Sequence, residues 1–94
     1  RLLDTPGPSG YEGAPARVWR DEAARFATVA ADTHGNSLAT VNDRGGPTIL
    51  LAGHIDEIGV IVTWIDDDGF VYIGPIGGWD PQVLVAQRIR FQGR

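Results

Sequence analysis

His54 and Asp56 are the residues of this 94-residue chain whose types and spacing fit chemistry at a metal ion. A neutral imidazole is the commonest protein ligand for zinc, and residues two apart in an extended segment project to the same side. Asp56 would accept the N–H of the ring nitrogen that does not bind metal, which fixes the tautomer and orientation of the imidazole. The pair predicts a metal ligand, His54, and a supporting catalytic carboxylate, Asp56.

A purely structural interpretation of the same pair remains open. His54 would bond to backbone groups at the end of a strand, and Asp56 would be a turn residue. One histidine does not complete a site, because catalytic zinc usually takes three protein ligands and two-metal hydrolases take several carboxylates and histidines. The other histidine of the sequence, His34, lies beside Gly35 and Asn36, so a role in a turn is favoured for it.

Other patterns give weaker indications of chemistry. The sequence has no cysteine, which excludes disulfides, thiolate zinc sites and a cysteine nucleophile. Asp66-Asp67-Asp68-Gly69 lacks the spacing of a calcium loop, and residues 74–78 lack that of a nucleotide-binding loop. Ser9 has no general base in its sequence context, and with Glu12 it has the spacing of a helix capping box.

The charge of the chain limits its partners. Twelve acidic and eight basic side chains give a formal net charge of −4 without a basic cluster, so neither nucleic acid nor a membrane surface is expected as a partner. The longest apolar runs are far shorter than the roughly 20 residues that span a bilayer, and no secretory signal is visible. We expect a cytoplasmic, globular protein.

The elements that would position the pair are predicted to be a helix and several strands. A helix is expected over Ala14 to Ala27, where apolar side chains recur at spacings of three and four. These are Val18, Trp19, Ala23 and Phe26, with Glu22 as the polar exception on that face. Residues 28–32 and 37–41 are predicted to form a hairpin around a turn at residues 33–36.

A buried strand is predicted immediately before the pair. Residues Thr48 to Ala52 form an unbroken apolar run, as expected of a strand covered on both faces. In open α/β sheets, ligands bind in the crevice beyond the carboxyl ends of the strands. His54 would therefore lie at the rim of such a sheet.

The chain after Gly59 follows a different pattern. Val60–Ile65 and Phe70–Ile73 are predicted strands around a turn with an Asp-Gly step, and Arg88–Phe91 is a further strand-like stretch. Strands at such short intervals suggest a change of architecture. We place a domain boundary near Gly59, which divides the chain into segments 1–59 and 60–94.

Four blocks, in order, resemble the glutamyl and tetrahedral-type metallo-aminopeptidases, a family also labelled deblocking aminopeptidases or endoglucanases. The blocks are Pro8-Ser9-Gly10-Tyr11-Glu12, Asp32-Thr33-His34-Gly35-Asn36, Gly53-His54-Ile55-Asp56-Glu57-Ile58-Gly59, and Gly77-Gly78-Trp79 with residues 82–89. Their order and spacing extend the resemblance over nearly the whole chain.

The resemblance implies a function for the central block. His54 corresponds to a ligand of one of two divalent metals, zinc or cobalt, and Asp56 to the carboxylate that supports it. Glu57 matches the motif without an assigned role. The resemblance places the remaining ligands and the general-base glutamate beyond Arg94, outside this sequence.

The resemblance also implies an architecture. The family has a mixed α/β catalytic domain interrupted by a β-rich domain used in oligomerisation, and its dimers assemble into a larger particle. This chain, which does not begin with methionine, is expected to be the amino-terminal fragment of an enzyme that removes N-terminal residues from peptides. By itself it is expected to be inactive.

Two other functions are kept as alternatives. A co-catalytic zinc amidohydrolase or deacetylase also uses a His-x-Asp strand end, although the Ser9–Glu12 and Gly77–Trp79 blocks argue against it. A non-catalytic oligomerisation module would make His54 and Asp56 dispensable polar residues.

Overall fold

A computed structural model describes residues 1–42 and 44–93, which contain one α-helix and four strands. Helix α1 spans Gly13–Ala23, and the strands are β1 Thr28–Ala31, β2 Ser37–Thr40, β3 Gly59–Ile65 and β4 Val71–Ile76. Short 3-10 helices occupy Leu2–Asp4 and Pro81–Leu84. This mixture of helix and sheet confirms the predicted α/β class at that level. In the described ranges, no helix is long and apolar enough to cross a membrane.

Helix α1 is shorter than predicted. Pro15 lies in its first turn, where a proline is tolerated because the first N–H groups have no intrahelical partner. The prediction of helix through Ala27 is wrong, because the chain tightens after Ala23 and the Phe26 N–H donates to the Ala23 carbonyl three residues back, at 3.1 Å. The β-branched Thr28 then begins β1, and the Phe26 side chain is 69% exposed.

The capping box predicted from Ser9 and Glu12 is wrong. Because the helix begins at Gly13, Glu12 occupies the cap position and Ser9 lies three residues before it. The Glu12 side chain accepts from the Gly10 N–H at 2.6 Å and makes no capping bond. The Ser9 hydroxyl is therefore free for a different partner.

Both predicted hairpins are confirmed. Strand β1 pairs antiparallel with β2, with Thr28 opposite Thr40 and Ala31 opposite Ser37. Strand β3 pairs antiparallel with β4, with an irregularity between Val62 and the next paired position. Each pair forms a separate two-stranded sheet.

The two hairpin turns share one geometry. In each, an aspartate Oδ1 accepts from the backbone N–H groups two and four residues later, which holds the loop closed. These aspartates are Asp32 and Asp66. The fourth loop residue is Gly35 in one turn and Gly69 in the other, with φ of 92° and 86°, a left-handed conformation that glycine adopts without steric cost.

The buried strand predicted at residues 48–52 is wrong. The run is irregular, and Ile49, Leu50 and Leu51 are 84%, 82% and 91% exposed. A strand covered on both faces needs neighbouring strands and packed helices, and within residues 1–42 and 44–93 no strand pairs with this run. The strand-like stretch Arg88–Phe91 is irregular and exposed as well.

The buried apolar core is small and belongs to helix α1. Pro15, Ala16 and Ala23 are buried, and the helix contacts β1, β2 and the first 3-10 helix. Arg20 of the helix donates to the Ser37 hydroxyl of β2 at 2.9 Å, which ties the helix to the first hairpin. The radius of gyration is 17.7 Å, against about 13 Å for a compact domain of about 100 residues. The described chain is therefore elongated and leaves most large apolar side chains accessible.

Candidate functional site

The candidate site lies where Gly7–Ser9 runs beside Asp56–Glu57, a contact that we call the loop junction. The two segments form a parallel β-bridge at Pro8 and Glu57. The Glu57 N–H donates to the Gly7 carbonyl at 3.0 Å, and the Ser9 N–H donates to the Glu57 carbonyl at 3.3 Å. Residues about fifty positions apart in sequence are thereby held in a fixed register.

The side chain of Glu57 also stabilises the loop junction through a hydrogen bond. Its Oε1 accepts from the Gly7 N–H at 3.0 Å, so both polar backbone groups of Gly7 are bound by the same residue. Gly7 is itself buried, and a buried N–H left without a partner is costly. The structure gives Glu57 a role that the sequence did not indicate: its carboxylate satisfies the buried backbone of the loop.

Two glycines allow the segments to approach this closely. A Cβ at Gly7 would lie 2.4 Å from Pro15 Cγ of helix α1, and a Cβ at Gly59 would lie 3.0 Å from Pro8 Cβ. Both distances are shorter than ordinary van der Waals contact. A side chain at position 7 would therefore force the loop or helix α1 to shift, and one at position 59 would displace Pro8 slightly.

His54 and Asp56 meet, as the spacing predicted. The His54 Nδ1 lies 2.9 Å from Asp56 Oδ1 and 3.2 Å from the Asp56 backbone carbonyl. The His54 side chain is 85% exposed and that of Asp56 38% exposed. The pair does not follow a buried strand, because the run before it is irregular. Its roles in metal binding and catalysis stay predictions.

Ser9 extends this pair into a chain of three side chains. Its hydroxyl donates to Asp56 Oδ2 at 2.5 Å, while Oδ1 of the same carboxylate faces His54. The pKa of the Asp56 carboxyl lies below its ordinary value of 3.8, first because of the Ser9 hydroxyl and then because of the His54 ring, which together outweigh partial desolvation. Asp56 is thus an ionised carboxylate at neutral pH with both oxygens engaged.

The donor set fits one ligand of a metal ion. With Nδ1 of His54 directed at a carboxylate, Nε2 is the ring nitrogen left with a lone pair for a metal. Among residues 1–42 and 44–93, no three His, Asp or Glu side chains lie close enough together to hold a metal. The described part of the chain offers a single imidazole ligand with its supporting carboxylate.

The Gly77-Gly78-Trp79 block reaches the same place. The Trp79 indole N–H donates to the carbonyls of Gly59 and Ile76, each at 3.1 Å. Gly77, with φ of 83°, lies against Ile58, whose Cγ2 would be 3.1 Å from a Cβ at that glycine. Three of the four sequence blocks therefore converge on residues 57–59.

The fourth block and the acidic tip stay apart from the site. His34 is exposed in the turn between β1 and β2, where its backbone N–H donates to Asp32, so the expected turn position is confirmed. Asp66 is used by its own turn, as predicted for the tip of the second hairpin. The sequence did not predict the partners of Ser9 and Glu57. The occurrence of both residues in blocks of the same family resemblance is the signal that could have indicated that the two blocks lie together.

Comparison with known proteins gives a consistent set of relatives. The family model described as M42 glutamyl aminopeptidase matches residues 35–94. The chain is 38% identical over 96 residues to a lysyl aminopeptidase of Pyrococcus furiosus, a match covering 97% of this chain and 27% of the relative. It is 45% identical over 93 residues to a glutamyl aminopeptidase of Lactococcus lactis, covering 93% and 25%. A putative aminopeptidase of Acetivibrio thermocellus is 41% identical over 64 residues, covering 68% and 19%. The chain spans about a quarter of the length of the first and second of these relatives.

Proposed function

Since the chain belongs to the M42 glutamyl aminopeptidase family, we propose that it forms the amino-terminal part of a metal-dependent enzyme that removes N-terminal residues from peptides. The observation that carries the proposal is the contact of 2.9 Å between His54 Nδ1 and Asp56 Oδ1. The peptidase names of the relatives and the convergence of three motif blocks on residues 57–59 support it.

In this proposal His54 binds one of two divalent metals, zinc or cobalt, through Nε2. Asp56 accepts a hydrogen bond from the Nδ1–H group of His54, so that the imidazole keeps one tautomer and one orientation. When bound, such metals act as Lewis acids toward the peptide carbonyl and supply a nucleophile at neutral pH. Glu57 does not bind the metal in this proposal. Its carboxylate accepts from the Gly7 N–H and so holds the backbone next to Asp56 in place.

The proposal also covers the division of the chain. Residues 1–59 would belong to a catalytic domain and residues 60–94 to the start of an inserted β-rich domain used in oligomerisation. Catalytic zinc usually takes three protein ligands, so the other ligands would come from residues outside this chain. We therefore expect the 94-residue chain alone not to cleave an aminoacyl-anilide. The homo-oligomer implied by the resemblance and the cytoplasmic location expected from the sequence both stay predictions.

The test compares the two histidines in the full-length protein that contains this chain. His54→Ala should lose one equivalent of metal and abolish release of an aminoacyl-anilide product, because it removes a ligand. His34→Ala is the matched control, since His34 is exposed in a hairpin turn away from the site. Metal content is measured by elemental analysis after dialysis, and activity with added zinc or cobalt.

Unchanged metal content and turnover in His54→Ala would refute the proposal and favour a non-catalytic module. Cleavage of N-acyl amino acids but not of aminoacyl-anilides by the unaltered protein, lost together with metal in His54→Ala, would favour the amidohydrolase alternative. Equal losses in His54→Ala and His34→Ala would show a general destabilisation rather than the loss of a ligand.

A further inference from the structure

Ser9 makes a bond that the proposed function does not account for. Its hydroxyl reaches the Asp56 carboxylate across 47 positions of sequence, at 2.5 Å and in a half-buried setting. The helix-capping role expected of Ser9 is not realised, because the helix begins at Gly13. The side chain is therefore directed to the candidate metal site instead of to the helix.

The loop junction is already fastened without this hydroxyl. Three bonds join the segments independently of it: Gly7 N–H to Glu57 Oε1, Glu57 N–H to the Gly7 carbonyl, and Ser9 N–H to the Glu57 carbonyl. What the Ser9 hydroxyl adds is a contact to the one carboxylate oxygen that His54 does not use. Its effect should therefore fall on the orientation of Asp56 more than on the attachment of the loop.

We propose that Ser9 is a positioning residue, whose hydroxyl holds the Asp56 carboxylate in the rotamer that directs His54 Nε2 toward a metal. This step rests on the proposed function. The terminal torsion of an aspartate is broad, so a carboxylate held at one oxygen alone samples a wide range of angles. Binding Oδ2 to Ser9 narrows that range and keeps Oδ1 facing the ring nitrogen.

The Asp56 backbone carbonyl competes with the Asp56 carboxylate for the Nδ1–H group of His54, so the orientation of the carboxylate affects which acceptor the ring binds. The Asp56 backbone carbonyl lies 3.2 Å from the same His54 Nδ1, only slightly farther than Oδ1 at 2.9 Å. If the carboxylate turns away, the ring can follow the carbonyl, and it is 85% exposed and so little restrained by packing. Ser9 thus selects the carboxylate as the partner of the imidazole.

The experiment uses the full-length protein and three variants. Ser9→Ala removes the hydroxyl, and Ser9→Thr restores one. Ser37→Ala removes a half-buried hydroxyl that accepts from Arg20 between β2 and helix α1. Nitrogen NMR of the metal-free protein reports, through the Nδ1 resonance of His54, how strongly Nδ1–H is hydrogen-bonded, because a carboxylate is a stronger acceptor than a backbone carbonyl. Competition with a chelator gives the affinity for zinc and cobalt. If Ser9→Ala does not fold, Ser9→Cys keeps the volume with a weaker donor and replaces it.

Ser9→Ala should shift the His54 Nδ1 resonance toward that of a more weakly hydrogen-bonded imidazole, and it should weaken metal affinity several-fold, less than the about 10- to 100-fold typical of losing the carboxylate itself. Ser9→Thr should recover both properties, and Ser37→Ala should change neither. The inference is overturned if Ser9→Ala keeps the wild-type Nδ1 resonance and metal affinity while His54→Ala loses a metal. Retention of both metals by His54→Ala would instead overturn the proposed function beneath it.

Discussion

The loop junction and the turn between β1 and β2 use the same chemistry at very different separations in the sequence. In the turn, Asp32 accepts from N–H groups two and four residues away. In the junction, Glu57 accepts from the N–H of Gly7, fifty residues away. A carboxylate that accepts from nearby N–H groups in a turn has a local sequence pattern and can be predicted. A carboxylate that accepts from an N–H group distant in sequence has no such pattern.

Because their partners lie at different separations, removing the hydrogen bonds of the turn and removing those of the loop junction should have different consequences. Loss of the local bonds should weaken one hairpin and leave the candidate site unchanged. Loss of the junction should release the segment that carries Ser9 from the segment that carries His54 and Asp56. Variants at each place separate the two cases.

The largest effect is expected from Gly7→Ala. The new Cβ would lie 2.4 Å from Pro15 Cγ, so the loop or helix α1 must shift, and overpacking of this kind typically costs about 1 to 3 kcal/mol. Denaturant unfolding of the full-length protein measures the loss, and metal affinity should fall with it. Gly13→Ala is the control, since a Cβ there meets nothing within 4 Å. Equal stability of the two variants would contradict the close approach at Gly7.

An effect of the same order is expected from Glu57→Ala. It leaves the buried Gly7 N–H without its side-chain acceptor, and such a group costs about 1 to 3 kcal/mol. Glu57→Gln keeps an acceptor oxygen and should lose clearly less. The same unfolding measurement compares them. If Ala and Gln variants unfold alike, the charge of Glu57 and not its bond to Gly7 is what stabilises the junction.

The smallest effect is expected in the turn, as a pH dependence. The pKa of Asp32 lies below its ordinary value of 3.8, chiefly because the Asn36 side chain donates to Oδ2 at 2.7 Å, with backbone N–H groups adding to this. Because the folded-state pKa is the lower one, ionised Asp32 stabilises the hairpin near neutral pH. That contribution is lost as the pH falls through the folded-state pKa.

Asn36→Ala should move the pKa of Asp32 back toward 3.8 and weaken the acid dependence of stability. NMR titration of the Asp32 carboxyl carbon measures this. Phe70→Ala is the control and should leave the pKa of Asp32 unchanged. Phe70 occupies the equivalent position in the other turn, and its side chain has no hydrogen-bond donor. A pKa of Asp32 that is the same with and without Asn36 would assign the shift to the backbone alone.

The parts of the structure that could be predicted from the sequence are those whose partners are close along the chain. Both hairpins follow from β-prone runs around a turn with glycine, and the Asp32 and Asp66 turns bear this out. The contact between His54 and Asp56 follows from their spacing of two. In each case the interacting residues lie within one hairpin or within a few positions of one another.

The remaining features depend on partners that no local pattern specifies. Ser9 has the spacing of a capping residue, yet the helix begins later and its hydroxyl binds Asp56. The apolar run at residues 48–52 has the composition of a buried strand, but burial on both faces requires neighbours that are not adjacent in sequence. An apolar composition indicates that a segment needs to be buried. Which strands or helices bury it depends on the tertiary structure and cannot be read from the segment itself.

The exposed run Ile49–Leu51 has a practical consequence for handling this chain. From Thr48 to Ala52 it is uncharged, largely apolar and free of proline, features shared with segments that pair between molecules into fibrils. Arg44 and Asp56 are the nearest residues charged at neutral pH that the structure describes on either side. We therefore expect samples of the isolated chain to aggregate through this run, and a lysine placed at Leu50 to keep them dispersed.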